Sequence, residues 1–169
     1  MNVTTPPRQS NVATFGPAGT PLDFDPKSGD NLEDPSPSGA TLELRILLIE
    51  DSTPIKERLT AMLNEPGVMR VMGSAATEAE ARVQIEASEY DILLVDVELR
   101  EGSGIGAIRH ARRFYPAGRQ PLIVVLTNYP MAAIRSRCLD AGADHFLDKM
   151  REFENVKELI GRAPHLPRN

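Results

Sequence analysis

The sequence has little of what stabilises secreted or membrane-embedded proteins. Its 169 residues contain one cysteine, Cys138, no tryptophan and only 5% aromatic residues. A single cysteine cannot form a disulfide within the chain, which fits a reducing compartment. No apolar run approaches the roughly 20 residues that a membrane-spanning helix needs, and the N-terminus shows no signal-peptide pattern. We therefore expect a soluble, cytoplasmic protein without a membrane partner.

An excess of positive charge is also lacking. The formal net charge of -5 disfavours nucleic acid as a partner, because phosphate backbones recruit basic surfaces. Basic residues do gather locally, at Arg109, Arg112, Arg113, Arg119, Arg135 and Arg137. Such a cluster is more often a solvated helix face than a binding site. We expect no nucleic-acid partner.

The composition changes near residue 42. Residues 1–42 hold half of the chain's 14 prolines, with Gly, Ser, Asn and Asp between them. Such a segment cannot bury enough apolar surface to offset the entropy of ordering it. We predict a disordered tail at 1–42, one domain at 43–162 and a short tail at 163–169. Only nine residues, two of them proline, follow Ile160, so we expect no attached output domain.

From Leu44 onward, short apolar runs alternate with helical patterns. Continuous runs predict buried parallel strands at 44–49, 92–95 and 122–126, and weaker runs predict strands at 68–72 and 144–147. The segments between them predict helices at 54–65, 78–86, 105–114, 131–140 and 152–160. This alternation predicts right-handed crossovers and an open, doubly wound α/β sheet.

Reactive side chains follow the predicted strands at their carboxyl ends, where open parallel sheets bind ligands. They are Glu50 and Asp51 after the first strand, Asp96 after the third, Thr127 at the fourth, and Asp148 and Lys149 after the fifth. In the strand order 2-1-3-4-5, the first and third strands are neighbours. Glu50, Asp51 and Asp96 would then meet in one cavity.

Three carboxylates in one cavity repel each other. Either one of them is protonated, with a raised pKa, or a hard divalent cation such as Mg²⁺ lies among them. A metal, a carboxylate, an ammonium and a hydroxyl around one point form a site suited to phosphoryl transfer.

Four segments resemble the consecutive motifs of the response-regulator receiver family: LLIEDSTPIKERL, DILLVDVELREGSG, LIVVLTN and AGADHFLDK. The resemblance covers about residues 44–160 and is specific, because five separate positions agree in identity, order and location at strand ends. It implies a flavodoxin-like fold with a five-stranded parallel sheet, order 2-1-3-4-5, and five helices. It also implies a response regulator of two-component signal transduction.

The resemblance implies a phosphorylation site. Asp96 would accept a phosphoryl group from a histidine kinase or a histidine phosphotransfer protein and form an aspartyl phosphate. Thr127 and Lys149 would contact the phosphoryl oxygens, and Thr127 would act with Phe146 as a switch. The glycine that opens the third helix in the family corresponds to Gly104.

The resemblance also implies a Mg²⁺ or Mn²⁺ ion. Asp51 and Asp96 would bind it, together with Glu50 and the backbone carbonyl of Glu98. In the family, the side chains two residues after the acceptor and after the switch threonine tune the lifetime of the acyl phosphate. These positions correspond to Glu98 and Tyr129.

Three residues depart from the family pattern. Met150 replaces the proline that usually follows the lysine, so we expect a trans bond between Lys149 and Met150. Asn128 follows the switch threonine, where a small residue is usual, and can narrow access to the acceptor or donate a further hydrogen bond. Arg100 replaces a common proline in the loop after the acceptor.

Two other functions compete with that of an active receiver. One is a pseudo-receiver, the same fold used as a phosphorylation-independent protein-binding module. The other is a phosphatase with an aspartate nucleophile, which the run Asp96-Val97-Glu98 imperfectly resembles. For the receiver we expect no turnover of a separate substrate, and output through a downstream protein, or a second copy, on the face formed by the fourth helix, fifth strand and fifth helix.

Overall fold

Strands and helices alternate along residues 43–163, the part of the chain that the computed structural model describes. The elements are β1 Leu44–Ile49, α1 Thr53–Leu63, β2 Met69–Ala75, α2 Glu78–Ala87, β3 Ile92–Val95, α3 Gly104–Phe114, a short 3-10 helix Ala117–Arg119, β4 Leu122–Thr127, α4 Ala132–Ala141, β5 His145–Asp148 and α5 Asn155–Gly161. The predicted disordered tail at 1–42 lies outside the described residues, as does all but Ala163 of the predicted short tail.

The five strands form one parallel sheet in the order β2-β1-β3-β4-β5. This confirms the predicted flavodoxin-like, doubly wound α/β fold. Ile49 at the end of β1 pairs with Val95 at the end of β3, and Thr127 at the end of β4 pairs with Asp148 in β5. The residues that follow β1 and β3 therefore lie at the same level on one edge of the sheet.

Helices cover both faces of the sheet, which explains the continuous apolar runs. Alternate residues of β1 point to opposite sides: Leu47 and Ile49 join a core cluster with α2, α3 and α4, whereas Ile46 and Leu48 join a cluster with α1 and α5. Cys138 of α4 is a free, buried thiol in the first cluster. None of the helices in residues 43–163 has the length and apolar character needed to cross a membrane.

One bound each of two elements differs from the prediction by three residues, and the other bounds agree to within two residues. β2 continues to Ala75 instead of ending at residue 72, because this edge strand alternates buried and exposed positions rather than forming an apolar run. α5 begins at Asn155, three residues later than predicted, because Glu152 is part of the turn that precedes the helix. Its side chain accepts a hydrogen bond from the backbone N–H of Asp148 at 2.8 Å.

Candidate functional site

Backbone hydrogen bonds fix two acidic residues at the carboxyl edge of the sheet. The amide of Glu50 donates to the carbonyl of Ala75, and the amide of Asp96 donates to the carbonyl of Ile49, both at 2.8 Å. Glu50, Asp51 and Asp96 each offer one carboxylate oxygen, and these oxygens lie within 4.8 Å of one another. The strand order thus brings together the three carboxylates named from the sequence.

Lys149 joins two of these carboxylates. Its Nζ lies 2.6 Å from Oδ2 of Asp96 and 2.8 Å from Oε2 of Glu50. The side chains are almost inaccessible to water, at 3% exposed for Lys149, 4% for Glu50 and 8% for Asp96. Asp51 is only partly buried. One ammonium therefore faces two buried carboxylates and a third nearby, which leaves an excess of negative charge.

The pKa values of two groups reflect this burial. Burial raises the pKa of Glu50 above its ordinary value, and its hydrogen bond and ion pair with Lys149 only partly oppose that effect. Burial by itself lowers the pKa of Lys149, but the hydrogen bonds and charges of Asp96 and Glu50 outweigh it and raise the pKa. Lys149 is therefore held as the cation, and Glu50 is the carboxylate that takes up a proton more readily than usual.

The hydroxyl of Thr127 lies on the neighbouring strand. Thr127 is fully buried, and its Oγ1 accepts a hydrogen bond from the amide of Tyr129 at 3.3 Å. The carbonyl of Thr127 accepts from the amide of Lys149 at 2.8 Å, so the two residues are tied through the backbone. Asn128 and Tyr129 are exposed at the mouth of the site.

The loop after β3 wraps closely around Asp96. The amide of Glu98 donates to Oδ1 of Asp96 at 3.4 Å, while the Glu98 side chain is exposed. A Cβ added to Gly104 would lie 1.9 Å from the backbone oxygen of Asp96, so only glycine fits at the start of α3.

The loop after β5 holds Lys149 without the usual proline. No peptide bond in the described residues is cis, so the bond between Lys149 and Met150 is trans, as expected. The amide of Met150 donates to Oδ1 of Asp148 at 2.8 Å, and the Met150 side chain is 81% exposed. Lys149 reaches Asp96 despite this departure from the family pattern.

Phe146 has a partner that was not anticipated from the sequence. The ring is buried, at 8% exposed. The guanidinium of Arg135 lies 5.6 Å from the ring centroid, and Nη1 of Arg135 donates to the carbonyl of Phe146 at 3.2 Å. No motif or spacing rule links a helix residue to a strand residue eleven positions later, so only the fold could identify Arg135.

A comparison with known families decides the classification. Residues 46–161 match the response regulator receiver domain. The chain belongs to this family. Receiver domains of two-component systems accept a phosphoryl group, and their general partners are histidine kinases and phosphotransfer proteins.

The curated relatives of this receiver are longer proteins. A protein-glutamate methylesterase/protein-glutamine glutaminase of Alkalilimnicola ehrlichii is 32% identical over 111 residues, which are 64% of this chain and 27% of the relative. A gliding motility regulatory protein of Myxococcus xanthus is 32% identical over 65% of this chain and 14% of its own length. The match thus spans well under half of each relative.

A solved structure similar to this receiver holds a metal. The receiver domain of sensor histidine kinase PA1611 from Pseudomonas aeruginosa PAO1 has a TM-score of 0.62 and 30% identity, over 72% of this chain and 97% of that chain. It carries a magnesium ion coordinated in the active site cleft. A response regulator from Burkholderia pseudomallei with a phosphorylated aspartic acid, a calcium ion and citrate has a TM-score of 0.59 and 26% identity, over 68% of this chain and 64% of that chain.

Proposed function

We propose that this receiver takes a phosphoryl group onto Asp96 from a histidine kinase or a histidine phosphotransfer protein. The observation that carries the proposal is the direct contact of Asp96 with Lys149 at 2.6 Å, beside Glu50 and Asp51. A buried carboxylate at a strand end, with a fixed cation on one oxygen, is positioned for attack on a phosphorus atom.

The residues present fit a hard divalent cation. Three carboxylates whose oxygens lie within 4.8 Å supply the oxygen ligands that Mg²⁺ and Mn²⁺ prefer, and their charge exceeds that of the single ammonium. We assign Asp51, Asp96, Glu50 and the backbone carbonyl of Glu98 as the groups that would hold the ion. When bound, the ion neutralises charge that develops on the transferred group.

In the transfer, one carboxylate oxygen of Asp96 attacks the phosphorus atom and forms an O–P bond. The P–N bond to the donor imidazole breaks, and the imidazole nitrogen keeps the electron pair. Lys149 exchanges its contact with Asp96 for one with a phosphoryl oxygen. The Thr127 hydroxyl turns from the amide of Tyr129 and donates to another phosphoryl oxygen.

We infer that the switch uses Thr127 and Phe146. Movement of the Thr127 hydroxyl toward the phosphoryl group opens space next to β5, into which the Phe146 ring can shift. The affected face, α4–β5–α5, would then bind a downstream protein or a second copy of the receiver. Glu98, Asn128 and Tyr129 lie at the mouth of the site and are assigned to tuning the lifetime of the acyl phosphate.

We further propose that this chain turns over no separate substrate. The methylesterase relatives match over about a third of their length or less, 36% and 27% for two of them, so their esterase activity is not carried over. The pseudo-receiver stays the alternative function, since Met150 and Asn128 depart from the family pattern. The direct contacts of Lys149 with Asp96 and Glu50 favour the active receiver.

Mass spectrometry of the intact protein tests the proposal. With acetyl phosphate and Mg²⁺, the wild-type chain should gain the mass of one phosphoryl group, and chelation of the metal should prevent the gain. Asp96→Asn should gain nothing, because the amide is not a nucleophile under these conditions, and its circular dichroism spectrum should match that of the wild type. Full labelling of Asp96→Asn would refute the acceptor assignment, and a folded wild type that never labels would favour the pseudo-receiver.

A further inference from the structure

Four arginines form a basic stripe across the three helices on one face of the sheet. The arginine stripe consists of Arg82 on α2, Arg109 and Arg113 on α3, and Arg137 on α4, all of them exposed. They line a groove of about 400 Å³ together with His110. Arg109 and Arg113 are four residues apart, so they project from the same side of α3, and α3 contacts both α2 and α4.

Most of the stripe has no acidic partner in the fold. Arg82 pairs with Glu78 at 2.7 Å, but among residues 43–163 no ion pair is formed by Arg109, Arg113 or Arg137. Arginines on the opposite face of the sheet do have partners, such as Arg58 with Glu154 at 2.6 Å. Neighbouring guanidiniums without counter-charges repel each other, so their charges do not stabilise the fold. In a chain with more acidic than basic residues, this arrangement points to binding.

We propose that the arginine stripe binds an acidic segment of a partner protein. Packed helix axes are about 8–10 Å apart, so a stripe over three helices is roughly 20 Å wide. An extended chain rises about 3.3 Å per residue and would place about six residues along that width. Guanidinium groups bind carboxylates with paired hydrogen bonds, which favours glutamate or aspartate side chains.

The shape and charge of the surroundings disfavour other anions. The carboxylate of Glu78 is fixed in the groove wall by Arg82 and by the amide of Ser103 at 3.0 Å, so it would repel a compact anion placed deep in the groove, whereas an extended segment can lie across the exposed arginines of α3 and α4. The net charge of -5 opposes long polyanions such as nucleic acid. A short acidic segment needs only the local positive field.

The stripe lies on a different side of α4 from the proposed output face. Arg135, also on α4, points to Phe146 of β5, whereas Arg137 lines the groove beside α3. A partner on the stripe and a partner on the α4–β5–α5 face would therefore use different sides of α4. The binding proposed here does not depend on phosphoryl transfer to Asp96.

Fluorescence anisotropy with a labelled peptide tests the proposal. The probe is a fluorescein-labelled hexaglutamate peptide in low salt, with hexaglutamine as the neutral control, and the protein is the full chain. Substitution of Arg109, Arg113 and Arg137 by alanine should weaken hexaglutamate binding by about tenfold or more. The matched variant, with Arg58, Arg70 and Arg162 replaced by alanine, removes three exposed arginines from α1, β2 and the end of α5. Its affinity should stay within about twofold of the wild type.

Further variants and probes also test the proposal. Replacement of the three arginines by lysine keeps the charge and should retain most of the hexaglutamate binding. This lysine variant takes the place of the alanine variant if the latter is unstable. Absence of hexaglutamate binding by the wild-type chain, or equal losses in the stripe and matched variants, would overturn the proposal. Tighter binding of oligothymidylate than of hexaglutamate would also overturn the proposal, because the stripe would then be a nucleic-acid binding surface.

Discussion

Replacement of Lys149 by methionine removes an ammonium that contacts two buried carboxylates. In the wild type, Nζ lies 2.6 Å from Asp96 and 2.8 Å from Glu50, and Lys149 is 3% exposed. Methionine has a similar length but no charge, so Glu50 and Asp96 are left buried and unpaired. Removal of one partner from a buried ion pair typically costs about 3–5 kcal/mol. We expect a loss near the lower limit, about 3 kcal/mol, because a carboxylate can respond by taking up a proton.

The loss should depend on pH in a definite direction. Burial already raises the pKa of Glu50, and Lys149 is the main influence that lowers it. Without Lys149 the pKa in the folded state is raised further above its unfolded value. A raised pKa favours the folded state at low pH, and that contribution is lost as pH rises. The stability deficit of Lys149→Met should therefore shrink as the pH falls from about 7 to about 5.

Urea denaturation in the presence of a chelator measures this effect. At pH 7 the midpoint of thermal unfolding should also fall by about 10 °C, given a loss of about 3 kcal/mol in a domain of this size. The control is Lys157→Met, which breaks the partly exposed pair of Lys157 with Glu65 and should cost no more than about 1 kcal/mol. Added Mg²⁺ should stabilise Lys149→Met more than the wild type. Equal, pH-independent losses in the two variants would show that Lys149 does not compensate buried charge.

Two other substitutions test the packing around the site and at the other end of α3. Gly104→Ala places a Cβ 1.9 Å from the backbone oxygen of Asp96, so it should cost about 2 kcal/mol or more and slow labelling by acetyl phosphate. Gly118→Ala, whose Cβ would meet nothing within 4 Å, is the control and should leave both unchanged. Burial raises the pKa of Tyr115 to about 12, and its hydroxyl donates to the carbonyl of Ser88 at 3.1 Å. The folded state favours the neutral phenol, so Tyr115 makes its full contribution to the free energy of unfolding below about pH 10. That contribution declines by roughly 2–3 kcal/mol toward pH 12. The free energy of unfolding of Tyr115→Phe, measured by urea denaturation, should lack this decline. If the two proteins showed the same dependence of stability on pH, the raised pKa of Tyr115 would be contradicted.

The strand ends could be predicted from the sequence because each apolar run stops where a polar residue appears. Glu50, Asp96 and Lys149 follow such runs, and the parallel order then places them on one edge. β2 could not be bounded in the same way, because an edge strand with one solvated face does not form a continuous apolar run.

Contacts between side chains on different elements required the fold itself. The bridge that Lys149 forms between Asp96 and Glu50, and the packing of Arg135 on Phe146, depend on distances that no local pattern encodes. The same holds for the arginine stripe. Arg109, Arg113 and Arg137 belong to a group of basic residues visible in the sequence, but their lack of acidic partners required the placement of the helices side by side.

The amide of Asp96 is bonded to the carbonyl of Ile49 in the central strand, and this anchorage has a mechanical consequence. When the side chain of Asp96 becomes bulkier, its backbone cannot recede into the sheet. Under the proposed phosphorylation, the added volume would be accommodated by the loops at the carboxyl edge of the sheet, outside the strand ladder. The sheet would thus act as a fixed base, and the loops around the site would move.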